Sequence, residues 1–394
     1  MRKYLPLFIT CALLCACRQP EVDKFIDFDA FNPLSETTKP AFTPDDSPGT
    51  GSVSLSRVFT EAARDIISSA SSNFLTHVSG TYTGHDIDGT PITLSGKIIY
   101  PTKGPIKNLM LISHYAICAD YEAPSESFPI EGIFAAKGYA LVIADYIGYG
   151  VTSNRVHPFM HIESTARSVT DFALAAKPYL EQIGRKPESD EVVLFGYSQG
   201  AAITMGVLDI LQKEYPNVFP VKKVYAGGGP YDLATTCEIA IENDFTKIPC
   251  AIPMLIQGMV VGERMGIDLN HFFKPRLLDN YGEWINSKKY TIDQIKEQMG
   301  LVPLHDFITE ECKDKTNPYT KKLYEAFDRN STLNVTPKAP VLVYHSRNDE
   351  MIPFENALEL QKSCKSDKVE YMFGDFSTHT MAGINFLKVV FLDL

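Results

Sequence analysis

The stretch Val192-Val193-Leu194-Phe195-Gly196-Tyr197-Ser198-Gln199-Gly200-Ala201-Ala202 passes from a continuous apolar run into an alanine-rich helix start across a Gly-x-Ser-x-Gly turn. Such a run suits a strand covered on both faces of a parallel sheet. A serine on so tight a strand-to-helix turn takes strained dihedrals. Side chains two positions either side of it would meet neighbouring backbone, so Gly196 and Gly200 permit the turn. Ser198 is then expected at the carboxyl edge of the sheet, where the free N–H groups and positive dipole end of the following helix favour an oxyanion.

Working outward, further apolar runs read as strands: 109–112, 140–143, 221–226 and 341–344, with a last one around 369–373. The runs 74–83 and 92–100 flank Asp86-Ile87-Asp88-Gly89, a turn suited to an antiparallel hairpin. Helical spacing of apolar residues over 161–182, 199–213, 353–363 and 380–391 fills the gaps, which makes the chain α/β with a mostly parallel, doubly wound sheet. Between Gly229 and about Thr336 the alternation stops and several helices follow one another, the mark of an inserted helical cap. Its most apolar stretch contains Met254, Leu255, Ile256, Met259, Val260 and Val261, which either line an acyl-binding surface or form the core of the cap itself.

A serine hydroxyl is a weak nucleophile unless a positioned base takes its proton, and the base needs an acid to hold its tautomer. Asp349 lies in His345-Ser346-Arg347-Asn348-Asp349-Glu350, on the loop after the strand 341–344 and hence at the same sheet edge as Ser198. His379 closes Phe373-Gly374-Asp375-Phe376-Ser377-Thr378-His379, after the last strand and before the C-terminal helix. Asp232 and Asp375 are alternative acids, from an earlier strand and from beside the histidine. His114, His157, His161 and His345 read as structural. The oxyanion is expected to meet the backbone N–H of Gln199 and a second donor from the loop His114-Tyr115-Ala116-Ile117-Cys118-Ala119-Asp120, with Tyr115, Ala116 and Asp120 all open as its source.

The N-terminus reads as an export signal. Arg2 and Lys3 precede an apolar run from Leu5 to Ala16. At ~1.5 Å per residue that run reaches roughly 18 Å, short of a ~30 Å hydrocarbon core. Leu14-Cys15-Ala16-Cys17 resembles the bacterial lipobox, which implies cleavage before Cys17, acylation of that cysteine and a protein tethered by lipid to the cell envelope. Prolines, glycines and polar residues from 18 to 53 suit a flexible tether. The expected organisation is therefore a signal at 1–17, a tether at 18–53, core at 54–229, cap at 230–336 and core again at 337–394.

Composition removes other classes. With 37 basic and 48 acidic residues the net charge is −11, and no Lys/Arg run exceeds two residues, so nucleic acid is a poor partner. Hydrophobic residues at 44% and charged residues at 22% fit a globular chain. Beyond the signal and Cys17 remain Cys118, Cys237, Cys250, Cys312 and Cys364. Cys237 and Cys250 are the nearest-spaced of these, and spacing alone establishes no pairing. No CxxC or HExxH spacing points to zinc, so no metal or cofactor is expected.

From about residue 75 onward the chain resembles the α/β-hydrolase superfamily and, in its motifs, the secretory lipase family typified by Candida lipase A. The motifs are Tyr115 leading through Asp120 to Ala123-Pro124-Ser125, then Ala144-Asp145-Tyr146-Ile147-Gly148-Tyr149-Gly150, His157-Pro158 and the Gly196–Gly200 turn. The order Ser198, Asp349, His379 is also the order of that superfamily. Glu122 stands where the family often has cysteine, and Ala144 where it has proline. The resemblance implies a serine carboxylic-ester hydrolase acting on small-molecule, lipid or glycan esters through an acyl-enzyme, with Asp120 as an oxyanion-hole residue. A serine peptidase or amidase on the same fold, or an inactive envelope binding lipoprotein, are the alternatives.

Overall fold

A computed structural model describes residues 31–40, 74–244, 246–300 and 302–394. The expected signal peptide, Cys17 and most of the expected tether lie outside the described residues. The strands are β1 (Asn32–Pro40), β2 (Phe74–His85), β3 (Pro91–Pro101), β4 (Leu109–Ser113), β5 (Ala140–Ala144), β6 (Val192–Tyr197), β7 (Val221–Gly227), β8 (Val341–Ser346) and β9 (Val369–Gly374). They form one sheet in the order β1-β2-β3-β5-β4-β6-β7-β8-β9. β1 through β3 and the β3–β5 junction are antiparallel, and β5 through β9 are parallel. The α/β-hydrolase architecture expected from the sequence is thus present.

The short apolar runs are strands for the reason their composition suggests: every residue of β4, β5, β6 and β8 is buried between helices. α1 (Ile162–Gln182) and α2 (Gln199–Glu214) cover one face of the sheet, and α9 (His379–Asp393) covers the other. α8 (Glu355–Ser363) joins β8 to β9. The chain leaves β4 for β5 on one side and then crosses to β6 on the other. The connection therefore reverses at β4 and β6, and a crevice opens beyond their carboxyl ends.

One element departs from expectation. Residues 32–40 fall within the stretch read as tether, yet they form β1, paired from Asn32 opposite Thr81 to Pro40 opposite Phe74. The physical reason is the open edge of β2, whose backbone groups need partners. Prolines are tolerated on such an edge strand, which is why Pro33 and Pro40 disguise it. Phe31 anchors the strand, with its ring 5.5 Å from Phe172 and 4.8 Å from Tyr179.

Between β7 and β8 lie α3 (Leu233–Glu242), α4 (Ala251–Gly262), α5 (Pro275–Tyr281), α6 (Ile292–Met299) and α7 (Pro318–Asn330). They rest on the core by direct backbone approach. A Cβ on Gly258 of α4 would stand 2.1 Å from the Phe159 carbonyl oxygen, so only glycine allows this docking. Lys288 adds a polar clamp: it is buried, and its ammonium donates to the carbonyls of Ser153 (2.8 Å) and Arg155. Among the described residues no helix is long and apolar enough to cross a membrane.

Candidate active site

Ser198 follows β6 and caps α2 at φ 58° and ψ −127°, a conformation that non-glycine residues rarely hold without support. The support is local. Its N–H donates to the Gly227 carbonyl at 2.9 Å, anchoring the turn to β7. A Cβ on Gly196 would lie 2.0 Å from the Gly200 oxygen, and one on Gly200 would lie 1.9 Å from the Ser113 oxygen. The turn therefore closes only with both glycines, and it packs directly on the carboxyl end of β4.

Two other loops deliver the remaining groups. Asp349 follows β8, its side chain fully buried, and its Oδ1 accepts the N–H groups of Met351 (3.0 Å) and Ile352 (2.8 Å). Its Oδ2 lies 2.6 Å from His379 Nδ1, and the carboxylate can only accept, so Nδ1 carries the proton. Nε2 is then the acceptor, and it lies 2.9 Å from Ser198 Oγ, whose hydroxyl donates to it. Burial alone would raise the Asp349 carboxyl. The charge and hydrogen bond of His379, with His345 behind them, outweigh it and hold the group below its ordinary value.

His379 is held from several directions. His379 opens α9, its N–H donates to Glu350 Oε2 at 2.8 Å, and its carbonyl accepts the Tyr197 hydroxyl at 2.6 Å. Ser346 Oγ donates to the Ser377 carbonyl at 2.6 Å and accepts its N–H at 3.2 Å, which fixes the preceding turn, where Ser377 has φ 131°. The alternative acids point elsewhere. Asp232 caps α3 through Thr235, and the exposed Asp375 faces Arg347 at 3.8 Å.

The loop after β4 divides the three open oxyanion candidates. Ala116 lines the same cavity as Ser198. Tyr115 shares the loop, its hydroxyl pushed up by burial. Asp120 is turned away: its Oδ1 accepts the Gly150 N–H at 2.8 Å, and its own N–H donates to the Lys288 carbonyl at 2.9 Å. As the first residue of α2, Gln199 has an N–H without an intrahelical partner, free to face an oxyanion.

The other histidines are structural. His157 Nδ1–H donates to the Ile147 carbonyl at 2.7 Å, which leaves Nε2 to meet the Gln199 amide at 3.3 Å; burial pushes this imidazole down to about 3. His114 stacks on Tyr146 at 3.9 Å and burial pushes it down to about 4. His161 caps α1, and His345 bonds the Ile352 carbonyl at 3.2 Å.

A cavity of about 500 Å³ opens from Ser198 between α3 and α4, lined by Leu233, Ile239, Ile252, Met254 and Leu255. Of the apolar stretch noted in the sequence, Met254 and Leu255 face it, while Ile256 and Met259 are wholly buried in the packing around them. The stretch is therefore divided between cavity lining and core packing. Sequence reasoning missed the Glu350 contact and the His157–Gln199 clamp; only the adjacency of Glu350 to Asp349 hinted at the first. Among the described residues no group of three or more His, Cys, Asp or Glu is placed to hold a metal.

The family model of secretory lipases matches residues 126–385, the span that contains Ser198, Asp349 and His379. The chain belongs to the secretory lipase family. It is similar to a secreted triacylglycerol lipase of Malassezia restricta, 26% identical over 263 residues. That match covers 61% of this chain and 49% of the relative, so it spans about half the relative's length. In fold the chain is similar to the rice cell wall degrading esterase LipA of Xanthomonas oryzae, with a TM-score of 0.74 at 19% identity over 92% of this chain and 97% of that one. It is also similar in fold to Candida antarctica lipase A, with a TM-score of 0.58 at 16% identity over 80% and 75%.

Proposed function

We propose that this member of the secretory lipase family is an exported serine carboxylic-ester hydrolase. One observation carries the proposal: an unbroken hydrogen-bonded line from Asp349 through His379 to Ser198, ending at an apolar cavity. His379 takes the Ser198 proton as Oγ attacks the ester carbonyl, and Asp349 stabilises the imidazolium that forms. The N–H groups of Gln199 and Ala116 receive the oxyanion, and His379 protonates the departing alcohol. Water then releases the acyl group by the same steps, with no cofactor required.

The cavity supports an acyl chain of medium length running between α3 and α4, with the alcohol left toward the polar mouth at Arg347 and Glu350. Residues 230–336 act in this scheme as a cap that selects the acyl group. Acylation of Cys17 after removal of residues 1–16 places the enzyme on a bacterial envelope membrane.

A fluorophosphonate probe tests the proposal. It is expected to label the protein and to leave Ser198→Ala unlabelled, and a series of p-nitrophenyl esters should then show an optimum beyond acetate. A folded protein that neither takes the probe nor cleaves any ester of the series would refute the assignment.

A further inference from the structure

Asp349 has a second imidazole beside it. His345 stands on β8, four residues before the acid, and the side chains of both are fully buried. His345 Nε2 lies 3.2 Å from the Ile352 carbonyl oxygen and 3.5 Å from Asp349 Oδ2, the same oxygen that accepts His379 Nδ1–H. A carbonyl and a carboxylate can only accept, so Nε2 carries the proton and shares it between them. Each oxygen of Asp349 then faces two donors: the N–H groups of Met351 and Ile352 at Oδ1, and the two imidazoles at Oδ2.

The other ring nitrogen of His345 is bare. Nδ1 is buried and has no hydrogen-bond partner, which costs stability. The preceding residues of β8 are Val341, Leu342, Val343 and Tyr344, and a further apolar side chain would fill the place of His345 without that cost. What it could not supply is the N–H beside Asp349. The ring is also fixed in direction. Phe354 meets it edge-on at 5.7 Å and an interplanar angle of 72°, and the Ile352 backbone ties the loop together, its carbonyl accepting from His345 while its N–H donates to Asp349.

We propose that His345 is a positioning residue for ester hydrolysis: its imidazole orients Asp349 through Nε2–H, so that the acid keeps His379 on the line to Ser198. The proposal rests on the ester-hydrolase reading and adds a fourth residue behind that line. A neutral donor suits this place. A lysine or arginine there would offset the carboxylate charge that stabilises the His379 imidazolium, whereas an N–H dipole directs the carboxylate and leaves its charge in place. The titratable groups that act on His345 are Asp349, Glu355 of α8 and His379 of α9. Burial is the largest influence and holds this imidazole below its ordinary value, so it stays neutral where His379 acts as a base.

Loss of the N–H moves the base in one direction. The carboxylate loses a donor, which favours a proton on it, and its charge acts undiluted on His379, which favours the imidazolium. Both raise the pH below which the base is lost. The test is the pH dependence of kcat/KM for p-nitrophenyl butyrate in wild type, His345→Leu and His345→Gln, because the glutamine amide can place an N–H close to where Nε2–H stood. In His345→Leu, kcat should fall about tenfold with KM within about twofold, and the acid limb of kcat/KM should rise by about half a pH unit. His345→Gln should regain most of the kcat and return the limb toward wild type, even if it melts no higher than His345→Leu. A folded leucine variant with kcat and acid limb unchanged, or a glutamine variant as impaired as the leucine one, overturns the role. Should His345→Leu not fold, 15N spectra of the histidine-labelled wild-type protein decide, with the His345 signals assigned by their loss in His345→Gln. An imidazole protonated at Nε2 alone, unchanged while His379 titrates, is expected, and protonation of His345 at Nδ1 overturns the proposal. Absence of ester turnover in wild type would instead refute the hydrolase reading.

Discussion

The carboxyl edge of the sheet and the cap above it face the same cavity but are built on different terms. Each of three core loops delivers one group to a single line, and backbone contacts fix each group: Ser198 through Gly227, Asp349 through Met351 and Ile352, and His379 through Glu350 and Tyr197. The cap delivers surface instead, with Leu233, Ile239 and Leu255 lining a space rather than aiming an atom. The difference teaches where change is tolerated. A line of hydrogen bonds fails at any link, whereas an apolar wall changes its shape by degrees.

The sharpest way to break this comparison is therefore at the line. Ser198→Ala and His379→Ala should each lower kcat for a p-nitrophenyl ester by about ten-thousand-fold or more. Asp349→Asn should cost about a thousand- to ten-thousand-fold, because the amide no longer enforces the Nδ1–H tautomer. Circular dichroism should show all three folded. If any of them kept turnover within tenfold of wild type, the core would not be the seat of the chemistry.

The line was legible in the sequence because each of its members sits one short loop beyond an apolar strand, so local pattern sufficed. Gly196 and Gly200 marked the turn by their spacing alone. Which residue of the loop after β4 faces Ser198 was not legible, since Tyr115, Ala116 and Asp120 share one loop and only tertiary contact shows Asp120 turned to Gly150. β1 was hidden for a related reason. Its nine residues carry two prolines and little alternation, and what makes them a strand is the edge of β2. That helices follow one another between β7 and β8 could be read from the sequence, but the division of the apolar stretch between cavity and core depends on how α4 docks through Gly258.

Acid should separate the two regions next. His77, His114 and His157 belong to the core, and burial pushes them down to about 4, 4 and 3. The cap histidines His271 and His305 lie at the surface beside Glu311 and Asp244. Below pH 6.5 the unfolded chain takes up protons that the folded core histidines refuse, so stability falls as pH drops from 6.5 toward 4, by on the order of 3 kcal/mol per histidine. Asp349 acts in the same direction lower down. Its carboxyl is held below the ordinary value, so its contribution is present above about pH 4 and is lost as pH falls through its folded value. Urea midpoints should decline steadily from pH 7 to 5, and less steeply in His157→Gln; a flat profile would show that these imidazoles gain protons without cost.

A smaller effect should come from the cap wall. Leu255→Trp fills part of the cavity, and since each methylene in such a pocket contributes ~1–3 kcal/mol, the preference for octanoyl over acetyl esters should fall by about ten- to a hundredfold. Acetyl-ester kcat should stay within a few-fold of wild type. An equal loss on both esters would mean that the cap helps to position the core loops as well as to select the acyl chain.

The smallest effect is expected where the core loop meets the cap. Asp120 lies on the loop that carries Ala116, but its carboxylate is committed to the Gly150 N–H, and it does not border the cavity that Ser198 opens into. Removing a true oxyanion donor costs about a hundred- to a thousandfold in kcat. Asp120→Asn keeps an oxygen that can accept from Gly150, so kcat should fall by no more than about tenfold, with the change read in thermal stability instead. A loss of a hundredfold or more in kcat, with the melting temperature unchanged, would mean that the carboxylate does more than fasten the loop and that its charge acts on the site itself. The boundary between the two regions would then run through residue 120.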